Sequence, residues 1–254
     1  MLDQVAGITR VRMLYLQLLY RCNFSCRHCF HGELLKAPDQ FELADVEAVL
    51  HHFRDVYRLD AVTFLGGEPL LYPHIVAACR FARQLGLRVE ICTNAHRGFR
   101  DRIKAIAESL DKFRVSLDGL GTTHDALRQR GSFASAIEMV DLAVRLGITT
   151  GATMTVTDHN LDDVVPLARQ LQQRGVAELK LHCLRLVGNA AAHPELEVAD
   201  TRRYADLQHA INNAGLPCQL STTRTSRRQQ PARRAQTSSL AAGSTVSRRT
   251  LVVG

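Results

Sequence analysis

The sequence predicts an α/β protein, a partial (β/α)6 barrel with parallel strands, followed by a disordered basic C-terminal tail. Three observations carry that prediction. Apolar residues switch six times between the alternation of a strand and the three-to-four spacing of a helix. Gly86, Gly147, Gly175 and Gly215 each stand just after a helical pattern, where a left-handed cap favours a residue without Cβ. Regular alternation of the two element types implies right-handed crossovers and a parallel sheet. Six units are too few for a closed eight-fold barrel, so an open partial barrel is expected, with a doubly wound open sheet as the rival. In either arrangement chemistry gathers at the C-terminal ends of the strands.

The elements follow in order. Met13–Leu19 reads as the first strand, and Val46, Val49, Leu50 and Phe53 share one face of the first helix. Ala61–Leu65 is the second strand, followed by a helix through Ile75, Cys79 and Ala82. Arg88–Cys92 is the third, followed by Ile103, Ile106 and Leu110, and Phe113–Leu117 the fourth, followed by Ile137, Val140 and Val144. Thr149–Val156 precedes the face of Leu161, Val164, Val165, Ala168 and Leu171. Glu178–Leu184 precedes Tyr204, Leu207 and Ile211. After about Leu220 the period stops until Thr250–Val253, so residues 1–219 are expected to form the barrel core and 220–254 a low-complexity tail.

Composition narrows the function. The chain has 254 residues, 46% hydrophobic and 22% charged, which suits a globular core. No apolar run approaches the length of a membrane span, and Asp3, Gln4, Arg10 and Arg12 stand where a signal peptide would be apolar. A cytoplasmic location without membrane contact is expected. Basic residues exceed acidic ones by 32 to 25, but the whole surplus of +7 lies in the seven arginines from Ser221 onward. The core is balanced, and no nucleic-acid partner is expected, because the arginines lack interleaved aromatic residues.

Cysteine spacing is the sharpest signal. Three of the seven cysteines, Cys22, Cys26 and Cys29, fall on one loop after the first strand. Soft thiolates at this spacing can hold three irons of a [4Fe–4S] cluster, leaving the fourth iron to a distant cysteine or a ligand. Zinc held with His28 or His31 is the alternative. Cys79, Cys92 and Cys183 fit packing better than ligation, and Cys218 has no partner in sequence. The second strand runs into Gly66-Gly67-Glu68-Pro69: the glycines permit close backbone approach, and Glu68 could accept a hydrogen bond from a ligand ammonium.

Together these segments resemble the radical S-adenosylmethionine (radical SAM) superfamily, whose signature is Cys-x3-Cys-x2-Cys on the first loop and Gly-Gly-Glu-Pro after the second strand. Ile91-Cys92-Thr93-Asn94-Ala95 is similar to the family's Thr-Asn-Gly, with Ala95 departing from it. Val115-Ser116-Leu117-Asp118-Gly119, then His124-Asp125, Arg128 and Gly131-Ser132-Phe133, resemble the branch of the molybdenum-cofactor cyclase, the anaerobic sulfatase maturases and the SPASM peptide maturases. Gly151, Thr153, Thr155, Asn160 and the run to Gly188 are softer matches.

The resemblance implies that Cys22, Cys26 and Cys29 ligate a [4Fe–4S] cluster. It implies that His28 supports the adenine of S-adenosylmethionine, that Gly66, Gly67, Glu68 and Pro69 take its amino group, and that Asn94, Ser116 and Arg128 complete the site. Arg128 would pair with the SAM carboxylate, the alternative being a surface pair with Asp125. It further implies a one-electron donor such as flavodoxin or ferredoxin, and a radical reaction on a substrate, first a ribosomal peptide, otherwise a small molecule. The cysteine-rich SPASM extension is missing after the sixth strand, so a minimal enzyme or a truncated, inactive member are both expected possibilities.

Overall fold

The computed structural model describes residues 7–216 and the backbone course of residues 218–221 and 251–253. Six strands follow the expected order: β1 (Leu14–Gln17), β2 (Ala61–Leu65), β3 (Arg88–Thr93), β4 (Lys112–Ser116), β5 (Thr150–Val156) and β6 (Glu178–Cys183). Each pairs in parallel with the next, in register from Leu14 opposite Val62 to Val156 opposite Cys183. Two short strands extend the row. β7 (Cys218–Ser221) lies parallel beside β6, and β8 (Leu251–Val253) lies antiparallel beside β1. The sheet is open, in the order β7-β6-β5-β4-β3-β2-β1-β8. The expected tail over residues 222–250 falls outside the described residues.

Among the described residues seven α-helices accompany the strands: α1 (Leu43–Tyr57), α2 (Ile75–Gln84), α3 (Arg100–Ile106), α4 (Gly121–Leu127), α5 (Ser132–Arg145), α6 (Val164–Gln173) and α7 (Arg202–Ala214). Six match helical patterns in the sequence. The extra one, α4, reads Gly-Thr-Thr-His-Asp-Ala-Leu and has too few apolar residues to show a period. Gly86, Gly147, Gly175 and Gly215 all have positive φ, as their places after helices require. Among the described residues no helix is long and apolar enough to cross a membrane.

Strand alternation divides the sheet chemically. Leu14, Leu16, Val62, Phe64, Val89, Ile91, Phe113, Val115, Ala152, Met154, Leu179 and Leu181 are buried in the core with the helices. Each fully buried large apolar side chain contributes about 1.5–3 kcal/mol. Cys79 is buried there too, as expected of a packing thiol, but Cys183 is exposed at the end of β6. The opposite face carries Thr63, Glu90, Cys92, Lys112, Arg114, Ser116, Thr153, Thr155, Glu178, Lys180 and His182. An inner face so polar is suited to holding a ligand rather than to filling a barrel with side chains.

One backbone position gives a direct test. Arg58 caps α1 in the left-handed conformation, φ 49° and ψ 47°, with its N–H donating to the Phe53 carbonyl. It is exposed, so its side chain gains little from packing. The left-handed region costs an L-residue about 1–2 kcal/mol, partly offset by the greater unfolded-state freedom of glycine, about 0.4–1 kcal/mol. Arg58→Gly is therefore expected to raise Tm by roughly 2 °C in a thermal melt. A lower Tm would show that the left-handed cap carries no strain.

Candidate active site

The C-terminal ends of β1 and β2 are joined before any ligand arrives. The Gly67 N–H donates to the Leu19 carbonyl at 2.9 Å and the Glu68 N–H to the Arg21 carbonyl at 3.0 Å. A Cβ on Gly67 would lie 2.1 Å from the Tyr20 oxygen and 2.4 Å from the Arg21 oxygen. Glycine is therefore required where the second loop crosses the root of the first. Gly66 is also tight, though less so: a Cβ there would lie 2.7 Å from Leu19 Cδ2 and 3.0 Å from the Leu19 carbonyl oxygen.

Beyond that crossing the chain turns through the three cysteines, closed by the Cys29 N–H on the Cys26 carbonyl at 3.1 Å. Donors point at the sulfurs. The Phe24 N–H reaches Cys22 Sγ at 3.4 Å, Asn94 Nδ2 lies 3.9 Å from Cys22 Sγ, and Arg128 Nη1 lies 3.9 Å from Cys26 Sγ. Burial pushes the Cys22 thiol up to about 12 and that of Cys26 to about 11, and the charges of neighbouring cysteines push both further in the same direction. Such thiols ionise when a metal displaces their protons.

The donor set suits a cubane better than a single ion. Among the described residues no three His, Cys, Asp or Glu side chains gather as a mononuclear site requires. Each of the two histidines offered for zinc has contacts of its own, although His28 Nδ1 is free of any among the described residues. His28 Nε2 lies 3.0 Å from Asp118 Oδ2, and the His31 ring packs at 4.1 Å from Phe30 and 5.9 Å from Tyr20.

Glu68 does not present its carboxylate to a ligand. It is 0% exposed, its Oε1 accepts from the Leu70 N–H at 2.9 Å and the Thr93 hydroxyl at 2.7 Å, and its Oε2 from the Asn94 N–H at 2.8 Å. Burial pushes its carboxyl up to about 7 despite those donors. The carboxylate ties β2 to the end of β3. Pro69 opens the short 3-10 turn that follows and is buried. Asn94 in turn donates to Asn23 Oδ1 at 2.8 Å, linking β3 to the cysteine loop. Ala95 beside it has φ 53°, a conformation natural for the glycine it replaces.

The residue that assembles the rest is Asp118, quoted in the sequence motif but given no role there. It is 0% exposed. Arg128 Nε pairs with its Oδ2, as does His28 Nε2, while Oδ1 accepts the Thr155 N–H at 2.8 Å. Its own N–H donates to His124 Nδ1 at 3.0 Å, and its carbonyl accepts from Asn160 Nδ2 at 3.1 Å. Burial alone would raise the Asp118 pKa, but the charges of Arg128 and His28 overcome it and hold the carboxyl well below the usual range. Burial, with Arg128 nearby, lowers His124 to about 4, so that ring is neutral. The expected alternative for Arg128, a pair with Asp125, is not formed. Asp125 caps α5 through the Gly131 N–H at 2.6 Å and the Phe133 N–H at 2.9 Å.

Ser116 ends β4 with its Oγ 4.0 Å from Cys92 Sγ on the inner face. His28 Nδ1 and His124 Nε2 are buried without a partner among the described residues, polar atoms that a ligand at the site could satisfy. The last piece is a clasp. The Asn189 N–H donates to the Cys29 carbonyl at 2.8 Å and its Nδ2 to the Cys26 carbonyl at 3.0 Å. Gly188 fits so closely that a Cβ would lie 2.4 Å from the Phe30 oxygen. Arg27 adds an ion pair with Glu195 at 2.6 Å. No motif in the sequence marks Asn189.

A three-thiol loop at the C-terminal end of β1, crossed by a Gly-Gly-Glu-Pro turn, is thus built into an open parallel sheet. The sequence profile described as "Radical SAM superfamily" matches residues 16–171. The chain belongs to the radical SAM superfamily. A [4Fe–4S] cluster and S-adenosylmethionine are the cofactors of radical SAM proteins, and the cysteine loop and its sulfur-directed donors fit the cluster.

Similar proteins fill out the family. The pre-heme d1 synthase of Dinoroseobacter shibae (strain DSM 16493 / NCIMB 14021 / DFL 12) is 30% identical over 202 residues, 75% of this chain and 48% of that protein. The Fe-coproporphyrin III synthase of Methanosarcina barkeri (strain Fusaro / DSM 804) is 24% identical over 211 residues, 80% and 53% of the two chains. Streptococcus suis SuiB bound to S-adenosylmethionine superposes with a TM-score of 0.67 at 16% identity, over 84% of this chain and 50% of that one. The chain spans about half the length of these relatives.

Proposed function

We propose that this radical SAM protein cleaves S-adenosylmethionine reductively to a 5′-deoxyadenosyl radical, which abstracts hydrogen from a substrate on the inner face of the sheet. One observation carries the reading: three cysteines on a single loop, with N–H donors aimed at two of the sulfurs and the whole loop clasped at the C-terminal ends of the strands. Cys22, Cys26 and Cys29 would hold the cluster, which when bound and reduced supplies the electron for cleavage. Backbone around Gly66, Gly67 and Pro69, with Asn94, Ser116, His28 and Arg128, would hold S-adenosylmethionine. Arg128 is well placed for this, since its Nε is fixed by Asp118 while Nη2 has no partner among the described residues. Glu68 and Asp118 act as positioning residues. A flavodoxin or ferredoxin would serve as the one-electron donor.

For the substrate, a small organic molecule is the reading we favour over a precursor peptide. The peptide reading is supported by likeness of fold to SuiB, solved with its precursor peptide SuiA at 16% identity. Relatives of higher identity are named pre-heme d1 synthase and Fe-coproporphyrin III synthase.

Anaerobic reconstitution of the full chain with iron and sulfide, followed by dithionite and S-adenosylmethionine, tests the proposal. 5′-Deoxyadenosine is expected from the intact chain and none from Cys26→Ala. Absence of product from an intact chain that has taken up four irons would overturn it.

A further inference from the structure

The inner face of the sheet is layered by register. In one layer Cys92, Arg114, Gly151 and Glu178 lie side by side on β3 to β6. In the next layer toward the strands' C-terminal ends lie Ser116, Thr153 and Lys180, and after them Thr155 beside His182. The two layers are electrostatically different.

The lower layer is closed. Glu178 accepts from Lys112 at 3.0 Å and pairs with Arg114 at 2.7 Å, and Arg114 also reaches Glu90 at 3.5 Å. Two acids meet two bases, and their charges cancel. Gly151 makes the arrangement possible, since a Cβ there would press to 3.3 Å from Arg114 Nη1 and from Glu178 Cγ. Lys112 and Arg114 together overcome the effect of burial and hold Glu178 below its ordinary value.

The upper layer is open. Lys180 is half-buried, and among the described residues it has no carboxylate within ion-pair distance. Nearer the cysteine loop Arg128 is matched by Asp118, whereas Lys180 has no ion-pair partner among the described residues. His182, exposed beside it at the end of β6, is lowered by desolvation and then by Lys180 and Arg114, against Asp118. An ammonium here, with no carboxylate beside it among the described residues, can take a counter-ion from a ligand. Two strand spacings, about 10 Å, separate Lys180 from Ser116 on the S-adenosylmethionine side.

We infer that Lys180, with the Thr153 hydroxyl beside it, forms a subsite for an anionic group of the substrate, a carboxylate or a phosphate. The inference rests on the proposed function insofar as it places substrate on this face. A charge fixed there would set which end of the substrate is held and which carbon faces the radical source. Lys112 and Arg114 Nη2 are held by Glu178, while Arg114 Nη1 is buried without a partner among the described residues, one layer below Lys180.

The test uses the reconstituted full chain with S-adenosylmethionine bound, titrated by calorimetry with inorganic phosphate in one arm and succinate in the other. Wild type is expected to bind at least one probe, and Lys180→Met to bind it about tenfold more weakly. Lys180→Arg, which keeps the charge, should stay close to wild type. Lys104→Met on the exposed side of α3 should change nothing. Whichever probe binds more tightly distinguishes phosphate from carboxylate. Equal affinity in wild type and Lys180→Met, or binding of neither probe by wild type, would overturn the subsite. So would loss of substrate-free 5′-deoxyadenosine formation in Lys180→Met, since the lysine would then serve S-adenosylmethionine. If instead wild type makes no 5′-deoxyadenosine while anion binding still depends on Lys180, the proposed function fails and the subsite stands.

Discussion

Gly67→Ala is expected to abolish iron uptake by the cysteine loop. The added methyl would stand 2.1 Å from the Tyr20 oxygen, 2.4 Å from the Arg21 oxygen and 2.6 Å from the Arg21 carbonyl carbon. All three are backbone atoms, so no rotamer change relieves the overlap. The β1 and β2 ends must separate, breaking the Gly67 to Leu19 and Glu68 to Arg21 hydrogen bonds. Overpacking of ordinary cores costs about 1–3 kcal/mol, and an overlap with fixed backbone belongs at or above that range. Iron per chain after reconstitution, together with the thermal melt, checks this. Gly66→Ala is the comparison, because its Cβ would lie 2.7 Å from Leu19 Cδ2 and no nearer than 3.0 Å to backbone, and it should retain more iron than Gly67→Ala. Wild-type loading by Gly67→Ala would mean that the two loops are not in contact as described.

The second large effect is at Asp118. Asp118→Asn keeps the shape but removes the charge that faces Arg128, and an orphaned, mostly buried guanidinium costs about 3–5 kcal/mol. Tm of the metal-free chain should fall by on the order of 10 °C. Removing both partners should restore part of the loss, so Asp118→Asn with Arg128→Met is expected to melt higher than Asp118→Asn alone. The pH dependence has a definite sign. The folded-state pKa of Asp118 lies below the unfolded value of about 3.9, so its contribution is complete above that pH and is lost only as pH falls toward the folded value. The wild-type advantage over Asp118→Asn should therefore persist across pH 5 to 8, judged by melts over that range. An advantage that disappears on acidification from pH 7 to 5 would place the carboxylate outside this network.

Much of this architecture was legible in the residues, and what was not has identifiable causes. The six strands show in the sequence because one face is apolar and the other polar, and Arg88–Cys92 and Glu178–Leu184 fall within one residue of the observed ends. The cysteine loop and the Gly-Gly-Glu-Pro turn are short and contiguous, so spacing alone reveals them. α4 has one apolar residue too few in each turn to show a period. β7 is only four residues long. The direction of the Glu68 carboxylate depends on Thr93 and Asn94, more than twenty positions away. The position of Asp118 depends on Thr155 and His28 at still greater separation, and local pattern contains neither.

The clasp at Asn189 has a consequence for biosynthesis. Its partner, the Cys26 carbonyl, lies 163 positions earlier in the chain. A nascent polypeptide emerging from the ribosome thus exposes its iron-binding segment long before the segment that locks it has been translated. Maturation with iron and sulfide belongs after translation has passed that asparagine, and premature termination upstream of it would leave a sulfur-rich loop open to oxidation.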